Sequence, residues 1–557
     1  MRSHIGRRDA AALSALLLLG VGLPLSMAIA AGTIGMPGND DWVYMLAASR
    51  LYAGGGLSMA GHTAATVGQL VLVQPLLWLA NGAPWAYTAF GLGMSGLAIA
   101  AAFLLARMHV GPTAAFVAAG LLVASPGFTR EAATFMTDGP TLALEMVSLL
   151  LGTAWLRSGK PAVLLASLAV GVIGVTIREF AVAAPAAVLV VSWARSRPGE
   201  RFMLLGATVL TAAAILGILR LVSSPAVSGG IGGTPRLLNA YLFGPAMVTL
   251  AAGLLPVLAP AVARRRASLR ALHLLFGFAT VGLALVVPTI PPLVGQFWTP
   301  EGLVGDALLM GPRAPVIPAS AWTLSLALAV LAGVLLAAVA SRWFLLTFAD
   351  VATASGLRDR LLATGRGSSG LLLVFAVGYA AELAVVVTVG GYPLDRYLWP
   401  LVPVLGILLV RETGERAPRW GILAGSAALL WLAASALAIS ANSFVYDAAR
   451  WRAGEAAVAA GYAPATVDAG YEWVGYHTGG LGTGRSPAYG LTWYDDEFMP
   501  QPPCAVVANG PLGADRYRPI GIGPSLYRQY LLVGPSEPLY LYGSTDAGCP
   551  APPVPPS

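Results

Sequence analysis

Two adjacent carboxylates, Asp40 and Asp41, follow the first apolar run of the chain, in the segment 38–44 (GNDDWVY). A carboxylate just beyond such a run can act as a general base toward a substrate held at the edge of a membrane. The alternative is that these acids cap and solvate a short amphipathic helix over residues 42–52 that lies on the membrane surface. Both interpretations are open at this point.

Further charged residues lie where later apolar runs begin or end. Asp138 precedes Pro140 at the start of one run, a position that also suits a helix cap. Arg178 lies in a very tight turn between two runs, near lipid depth, where a charge is costly and is generally functional or paired; its neighbour Glu179 is the obvious partner. Arg396 follows Asp395 at the end of another run. The planar arginine fork matches phosphate oxygens, so carboxylates and arginines together suit a reaction on a lipid-linked phosphate.

Several other chemistries lack support in the sequence. No His or Cys cluster has the spacing of metal ligands, and His62 and His477 stand alone. A divalent metal held by the carboxylates stays open, and no cofactor is predicted with certainty. No glycine-rich phosphate loop follows a strand, so the use of ATP or a nucleotide sugar is unsupported.

The composition predicts the elements that position these residues. The 557 residues are 57% hydrophobic and only 11% charged, with a mean hydropathy of +0.73. Soluble proteins carry about a quarter charged residues, so much of this surface must face lipid. About 20 helical residues cross a bilayer core. We therefore predict an all-α polytopic membrane domain of about thirteen helices, over residues 10–31, 86–106, 112–128, 139–156, 161–177, 180–194, 202–222, 240–262, 271–291, 319–341, 368–390, 397–410 and 420–441.

The basic residues predict the orientation of these helices. They recur in short clusters between alternate apolar runs, as the positive-inside rule expects, which puts the N-terminus in the cytoplasm and the C-terminus outside it. The same scatter argues against nucleic acid as a partner, despite the net charge of +7. A cleaved signal peptide ending near Ala30 is the alternative for the first run, but the run is long for that role. The high Ala, Gly and Arg content indicates a bacterial genome of high GC content. We therefore expect the protein in a bacterial plasma (inner) membrane.

The composition changes near residue 442, where Gly, Pro, Tyr and charged residues replace the apolar runs. We predict a membrane domain over 1–441 and a small extracytoplasmic α/β domain over 442–557. Its β-prone runs are Ala505–Val507, Tyr530–Val533 and Leu539–Tyr542. Cys504 and Cys549 are the only cysteines. Outside the cytoplasm they are expected to form a disulfide, with two free thiols as the alternative.

The order of these features resembles a known family. Asp40, Asp41 and Tyr44 form a D-D-x-x-Y pattern similar to the Asp-Glu-x-x-Tyr first-loop motif of GT-C fold glycosyltransferases, in the family 39 branch of protein O-mannosyltransferases and the lipid A aminoarabinose transferase. Asp41 departs from the motif, where Glu is more usual. Asp138 and its following proline resemble the second-loop acid of that branch.

Later segments carry the same resemblance. Arg178 matches an arginine found after the fifth helix of the branch, and Asp395-Arg396-Tyr397 with Pro400 and Pro403 is similar to its late Arg-Tyr segment. The resemblance covers roughly residues 10–410. The motifs are short, and together they indicate the superfamily and not a substrate.

The resemblance implies an inverting hexosyl- or pentosyltransferase of the cell envelope. Its donor would be a polyprenyl-phosphate sugar, and its acceptor a lipid, glycan or protein outside the cytoplasm. Asp40, which matches the first acid of the motif, would be the base, with Asp41 as its rival. Asp138 would bind the acceptor or orient the site, Tyr44 would bind substrate, and Arg178 and Arg396, with Tyr397 beside them, would hold the lipid phosphate.

Two other classes of protein stay open. A transporter or flippase of a lipid-linked or small polar substrate needs charges deep within its helices, and Glu145 and Glu382 are such residues. A membrane scaffold with an external binding domain is the third class, but it leaves the acids and arginines at the helix ends unexplained.

Overall fold

The computed structural model describes most of the chain. The described residues are 6–57, 66–222, 242–265, 271–284, 293, 295–302, 309–348, 369–388, 393–413, 417–480, 492–513, 516–520, 525–531, 533–546 and 548–550. His62 lies outside these ranges. The statements below concern the described residues.

The described part of the N-terminal half is mostly helical. Its helices are α1 (Arg7–Ala31), α2 (Asp41–Tyr52), α3 (Val67–Leu72), α4 (Gln74–Leu79), α5 (Trp85–Arg107), α6 (Pro112–Val123), α7 (Phe128–Glu131), α8 (Asp138–Ser158), α9 (Pro161–Val175), α10 (Ala183–Arg195) and α11 (Arg201–Val222). Proline occupies the first turn of α6 and α9, where its missing N–H would have no partner in any case.

Longer helices dominate the second half. They are α12 (Phe243–Arg265), α13 (Ala271–Ala284), α14 (Ala319–Phe348), α15 (Gly370–Thr388), α16 (Leu401–Thr413) and α17 (Arg419–Ala459), followed by the short α18 (Tyr471–Thr478) and α19 (Trp493–Phe498).

Among the described residues, eight helices are long and apolar enough to cross a membrane, and five apolar segments are shorter. Each of the thirteen predicted spans falls on a helix, which confirms the helical membrane fold, while the number of crossings stays a prediction. The α3–α4 pair was not predicted. Large apolar side chains project from the helices with most of their surface uncovered, as lipid-facing residues do. Phe202, Leu210, Leu272, Phe278 and Leu423 are examples.

Small residues bring the central helices together. Buried alanines of α5, α6 and α10 pack with Leu side chains of α8, α12 and α16 in one core. Small residues at helix contacts allow close backbone approach, which drives association where lipid removes the hydrophobic effect. This bundle fixes the helix ends that carry the charged residues.

Helix α17 links the bundle to the C-terminal domain. It has 41 residues and is therefore about 60 Å long, roughly twice the bilayer core. Its last turns pack against the C-terminal sheet through Phe444, Val445 and Tyr446. The predicted domain boundary near residue 441 thus lies inside one continuous helix, whose polar composition begins at that point.

The C-terminal sheet has five strands, β1 (Val467–Asp468), β2 (Ala505–Ala508), β3 (Tyr517–Pro519), β4 (Ser525–Arg528) and β5 (Ser536–Ser544). Strand β5 is central and runs antiparallel to β2, β3 and β4, with Val506 opposite Tyr542 and Leu526 opposite Pro538. Strand β1 pairs parallel to β2. A disulfide joins Cys504, just before β2, to Cys549, after β5.

One of the predicted strands is wrong. The run Tyr530–Val533 has strand-like composition, but Tyr530 and Leu531 have φ of 52° and 68°. That left-handed backbone belongs to the turn between β4 and β5. The β-prone composition of the run is outweighed there by the need to connect two paired strands.

Candidate functional site

Helix α2 follows the Asp40–Asp41 pair and is buried. Its residues Trp42, Val43 and Tyr44 have exposed fractions of 2% or less. The interpretation of α2 as a helix on the membrane surface is therefore wrong. Helices α18 and α19 of the C-terminal domain pack against α2 and cover it. The acids do not cap it either, since Asp40 at the N-cap position makes no capping hydrogen bond.

Asp41 is buried, and its side chain binds backbone N–H groups. Its carboxylate accepts hydrogen bonds from the backbone N–H groups of Gly38 and Phe135. Only 1% of the residue is exposed. Burial raises the pKa of Asp41 well above its usual range, against the opposing charge of Arg130 and the N–H donors. A carboxyl that is buried and whose two oxygens are both bound to backbone N–H groups has no access to a substrate proton.

Asp40 has a different environment. Its side chain is 28% exposed, whereas the acids around it are buried. The hydroxyl of Tyr471 donates to Oδ1 at 2.9 Å, and Oδ2 lies 3.5 Å from the guanidinium of Arg396. Asp40 is thus the accessible acid of the pair.

Arg396 lies at the centre of the charge cluster, and it is 3% exposed. Three carboxylates surround its guanidinium, at 3.5 Å to Asp40, 3.2 Å to Glu131 and 3.5 Å to Asp138. Burial alone would lower the pKa of Arg396, but the carboxylates, Asp138 foremost, raise it well above its usual range. A buried arginine held by carboxylates stays charged.

Arg178 is the second cation of the cluster. Its guanidinium is 2.6 Å from Asp138 and stacks on Tyr397, with its carbon 4.7 Å from the ring centroid. The Tyr397 hydroxyl accepts from Nη2 at 3.4 Å. Glu179 is exposed, so its suggested pairing with Arg178 is wrong: the turn sends adjacent side chains to opposite sides.

Tyr44 and Asp395 lie on either side of this cluster. Tyr44 is buried beside Asp40, Arg178 and Arg396, and burial raises the pKa of its phenol, which therefore keeps its proton. Asp395 accepts from the backbone N–H groups of residues 297 and 298 at 3.0 and 2.9 Å. Asp395 fixes the neighbouring loop and does not face the cluster.

Glu131 was not selected from the sequence, where a single acid in a polar loop carries no signal. The structure places it against Arg396, with 5% of the residue exposed. Burial, and then the charge of Asp138, raises the pKa of Glu131 to about 8, although Arg396 and Arg130 oppose this shift. Glu131 therefore changes charge close to physiological pH.

A second buried ionic chain was also not anticipated. Arg130 pairs with Asp447 at 2.7 Å, Asp447 with Arg450 at 2.7 Å, and Arg450 with Glu472 at 2.8 Å. These residues belong to α7, α17 and α18. The only signal in the sequence for these ion pairs was the presence of charged residues in the part of α17 that follows its apolar part.

Of the predicted site residues, five come together: Asp40, Asp138, Arg178, Arg396 and Tyr397. Tyr44 borders them, and Asp41 is turned toward backbone. Within the described residues, no group of three or more His, Cys, Asp and Glu side chains is arranged to hold a metal ion. Here the three carboxylates surround a guanidinium instead.

No protein-family model and no curated protein matches the chain. The solved structures that resemble it include those of ArnT from Cupriavidus metallidurans in the apo state and bound to undecaprenyl phosphate. They are 14% and 15% identical to this chain, cover 71% of it and 76% of the ArnT chain, and have TM-scores of 0.33. A likeness this distant carries no argument about function, which must come from the geometry of the site.

Proposed function

We propose that this protein is a membrane glycosyltransferase that moves a sugar from a polyprenyl-phosphate donor to an acceptor, with inversion. The observation that carries the proposal is the cluster around Arg396, in which a buried cation and one accessible carboxylate, Asp40, meet at the ends of membrane helices. That combination can bind a lipid phosphate and remove a proton from a nucleophile at one place.

The arginines supply the phosphate site. Arg178 and Arg396 lie side by side on Tyr397, and a small cavity bounded by these residues and by Asp138 and Trp399 opens between the helices. A donor phosphate entering there would compete with the carboxylates for the two guanidinium groups. Because its oxygens fit the arginine fork, the phosphate would take Arg396 from its 3.5 Å contact with Asp40.

The release of Asp40 from Arg396 prepares the base. Asp40 would accept the proton of an acceptor hydroxyl or amine while that oxygen or nitrogen forms a bond to the anomeric carbon. The bond from that carbon to the phosphate oxygen breaks, and its electron pair leaves with the polyprenyl phosphate, whose charge Arg178 and Arg396 stabilise. A single displacement inverts the configuration and leaves no covalent intermediate. This order requires the donor to bind before the acceptor reacts.

We further propose that the N-terminus and the basic helix ends face the cytoplasm of a bacterial inner membrane, and that the C-terminal domain lies outside. The alternation of arginines supports this orientation. The disulfide between Cys504 and Cys549 supports an oxidising compartment for the C-terminal domain.

The experiment is a transfer assay with purified protein in lipid. A panel of radiolabelled polyprenyl-phosphate sugars is offered with a membrane extract as acceptor. Asp40→Asn is expected to lower transfer at least about 100-fold, the usual contribution of a general base. Glu179→Gln is the matched control, because it neutralises an exposed acid next to Arg178. No transfer with any donor, or equal activity of Asp40→Asn and wild type, would contradict the proposal.

A transporter is the second candidate, because Glu145 and Glu382 lie near each other within α8 and α15. Glu145 is fully buried, and in the part of the chain that the structure describes neither of its oxygens has a hydrogen-bond partner. If the chain is a proton-coupled transporter, Glu145→Gln will abolish proton flux into proteoliposomes. If it is the proposed enzyme, wild-type proteoliposomes will show no such flux, and Asp40→Asn will be the variant that loses activity.

A further inference from the structure

Helix α18 of the C-terminal domain contacts the Asp40 loop through two successive residues. The hydroxyl of Tyr471 donates to Asp40 Oδ1 at 2.9 Å, and Oε1 of Glu472 accepts from the backbone N–H of Asn39 at 2.9 Å. Asn39 has a φ of 59°, a left-handed conformation that residues other than glycine adopt infrequently. The turn that presents Asp40 is therefore held by a residue more than 400 positions away in sequence.

The two helices also pack without a gap. A methyl group at Gly475 of α18 would lie 2.3 Å from the indole of Trp42 in α2, which is closer than carbon atoms can approach. Trp42 is completely buried, and its ring meets Tyr471 edge to face at 5.8 Å. This contact leaves α18 little freedom to move relative to the loop.

Ion pairs close the contact into a ring. Glu472 also binds Arg450, and the chain of pairs continues through Asp447 to Arg130. The guanidinium of Arg130 in turn lies against Gly38, where an added methyl would be 2.3 Å from Nη2. The chain of ion pairs therefore contacts the Asp40 loop at both of its ends, through Glu472 at one end and through Arg130 at the other.

We propose that the C-terminal domain completes the catalytic centre, with Tyr471 as the residue that positions the Asp40 carboxylate and Glu472 as the residue that fixes the turn at Asn39. The inference rests on the proposed role of Asp40 as base. With Oδ1 bound to Tyr471, the carboxylate is held with Oδ2 toward Arg396, where the reacting groups would meet. Such orientation is worth a large part of a catalytic rate.

The test compares two substitutions that each remove one phenolic hydroxyl. Tyr471→Phe removes the contact with Asp40. Tyr462→Phe is the control, because Tyr462 is also buried in the C-terminal region and its hydroxyl has no hydrogen-bond partner among the described residues. We expect Tyr471→Phe to lower kcat about tenfold or more, with the donor KM unchanged.

Hydrogen–deuterium exchange gives a readout that needs no sugar transfer. In Glu472→Gln the peptide containing Asn39 and Asp40 should exchange faster than in wild type, and in Tyr462→Phe it should not. Equal kcat for Tyr471→Phe and Tyr462→Phe, or a donor KM that rises together with the fall in kcat, would overturn the positioning role. If Glu472→Gln exchanges faster than wild type but the wild-type protein transfers no sugar, the proposed function is overturned. The docking of α18 on the Asp40 loop then still stands.

Discussion

The carboxylates of Asp40 and Asp41 contact different partners although the residues are adjacent. Asp40 meets a hydroxyl and a guanidinium and is partly exposed. Asp41 meets two backbone N–H groups and is enclosed. An exposed acid can be replaced at little cost in stability, whereas a buried acceptor that is lost leaves its donors without partners.

Asn substitution should therefore separate the two acids. In Asp41→Asn the amide NH₂ faces one of the two N–H donors, and we expect the free energy of unfolding to fall by about 1–3 kcal/mol. Asp40→Asn should keep the unfolding midpoint of wild type and lose transfer. Thermal unfolding in detergent, followed by tryptophan fluorescence, measures both variants. An Asp41→Asn protein as stable as Asp40→Asn would contradict the backbone role of Asp41.

Glu131 should make donor binding depend on pH. With a pKa of about 8, Glu131 is neutral below that pH and ionised above it. The ionised carboxylate competes with the donor phosphate for Arg396 and repels it. The donor KM should therefore rise above pH 8, by at most about tenfold per pH unit for one linked proton.

Glu131→Gln provides the check on this pH dependence. The donor is a phosphodiester with no ionisation of its own in this range, so the glutamine variant should show a nearly constant donor KM from pH 7 to pH 9. Measurement of initial rates at several donor concentrations distinguishes the cases. A glutamine variant that keeps the wild-type rise would assign the effect to another group.

At the scale of elements, the cluster depends on how closely α5 approaches the segment after α7. A methyl group at Gly91 would lie 2.0 Å from the carbonyl oxygen of Thr134 and 3.1 Å from that of Ala132. Both carbonyls belong to backbone and cannot rotate away. This glycine therefore sets the position of the segment between Glu131 and Asp138.

Two glycines of α5 provide a matched pair for this idea. Gly91→Ala should displace the segment and lower transfer strongly, with a loss of unfolding midpoint. Gly93→Ala should be neutral or stabilising by up to about 1 kcal/mol, because nothing lies within 4 Å of the added carbon and alanine favours the helix. Transfer rates and unfolding midpoints of the two variants test the difference. Equal behaviour would show that the segment can move without cost.

At the scale of the whole molecule, the bundle and the C-terminal domain share one site. The long helix α17 and the contacts of α18 hold the domain over the Asp40 loop. The stability of the small sheet therefore bears on the geometry of the cluster. The disulfide closes a sequence separation of 45 residues within that sheet.

Removing the disulfide should destabilise the C-terminal domain by about 2–4 kcal/mol, chiefly because the unfolded chain gains freedom. Cys504→Ser combined with Cys549→Ser avoids a free thiol, and limited proteolysis compares the domain with wild type. The same bond tests the orientation of the protein. Trapping thiols in intact cells should find both cysteines oxidised, and reduced cysteines would place the domain on the cytoplasmic side.

The sequence by itself determined the helical membrane fold, the small C-terminal sheet region and the placement of acids and arginines at helix ends. Hydropathy is a local property of about 20 successive residues, so each apolar run could be recognised without knowledge of its neighbours. Residues such as Asp138 and Arg178 stood out because charge is rare beside such runs.

The tertiary structure alone decided which of these charges meet. Arg396 reaches Glu131 across 265 residues, and Tyr471 reaches Asp40 across 431. Neither pairing has a periodic or compositional signal, because both depend on how helix ends are brought together by packing. For the same reason the sequence favoured Asp40 over Asp41 only through its match to the first acid of a family motif. Their burial in the folded chain distinguishes the accessible acid from the one that binds backbone N–H groups.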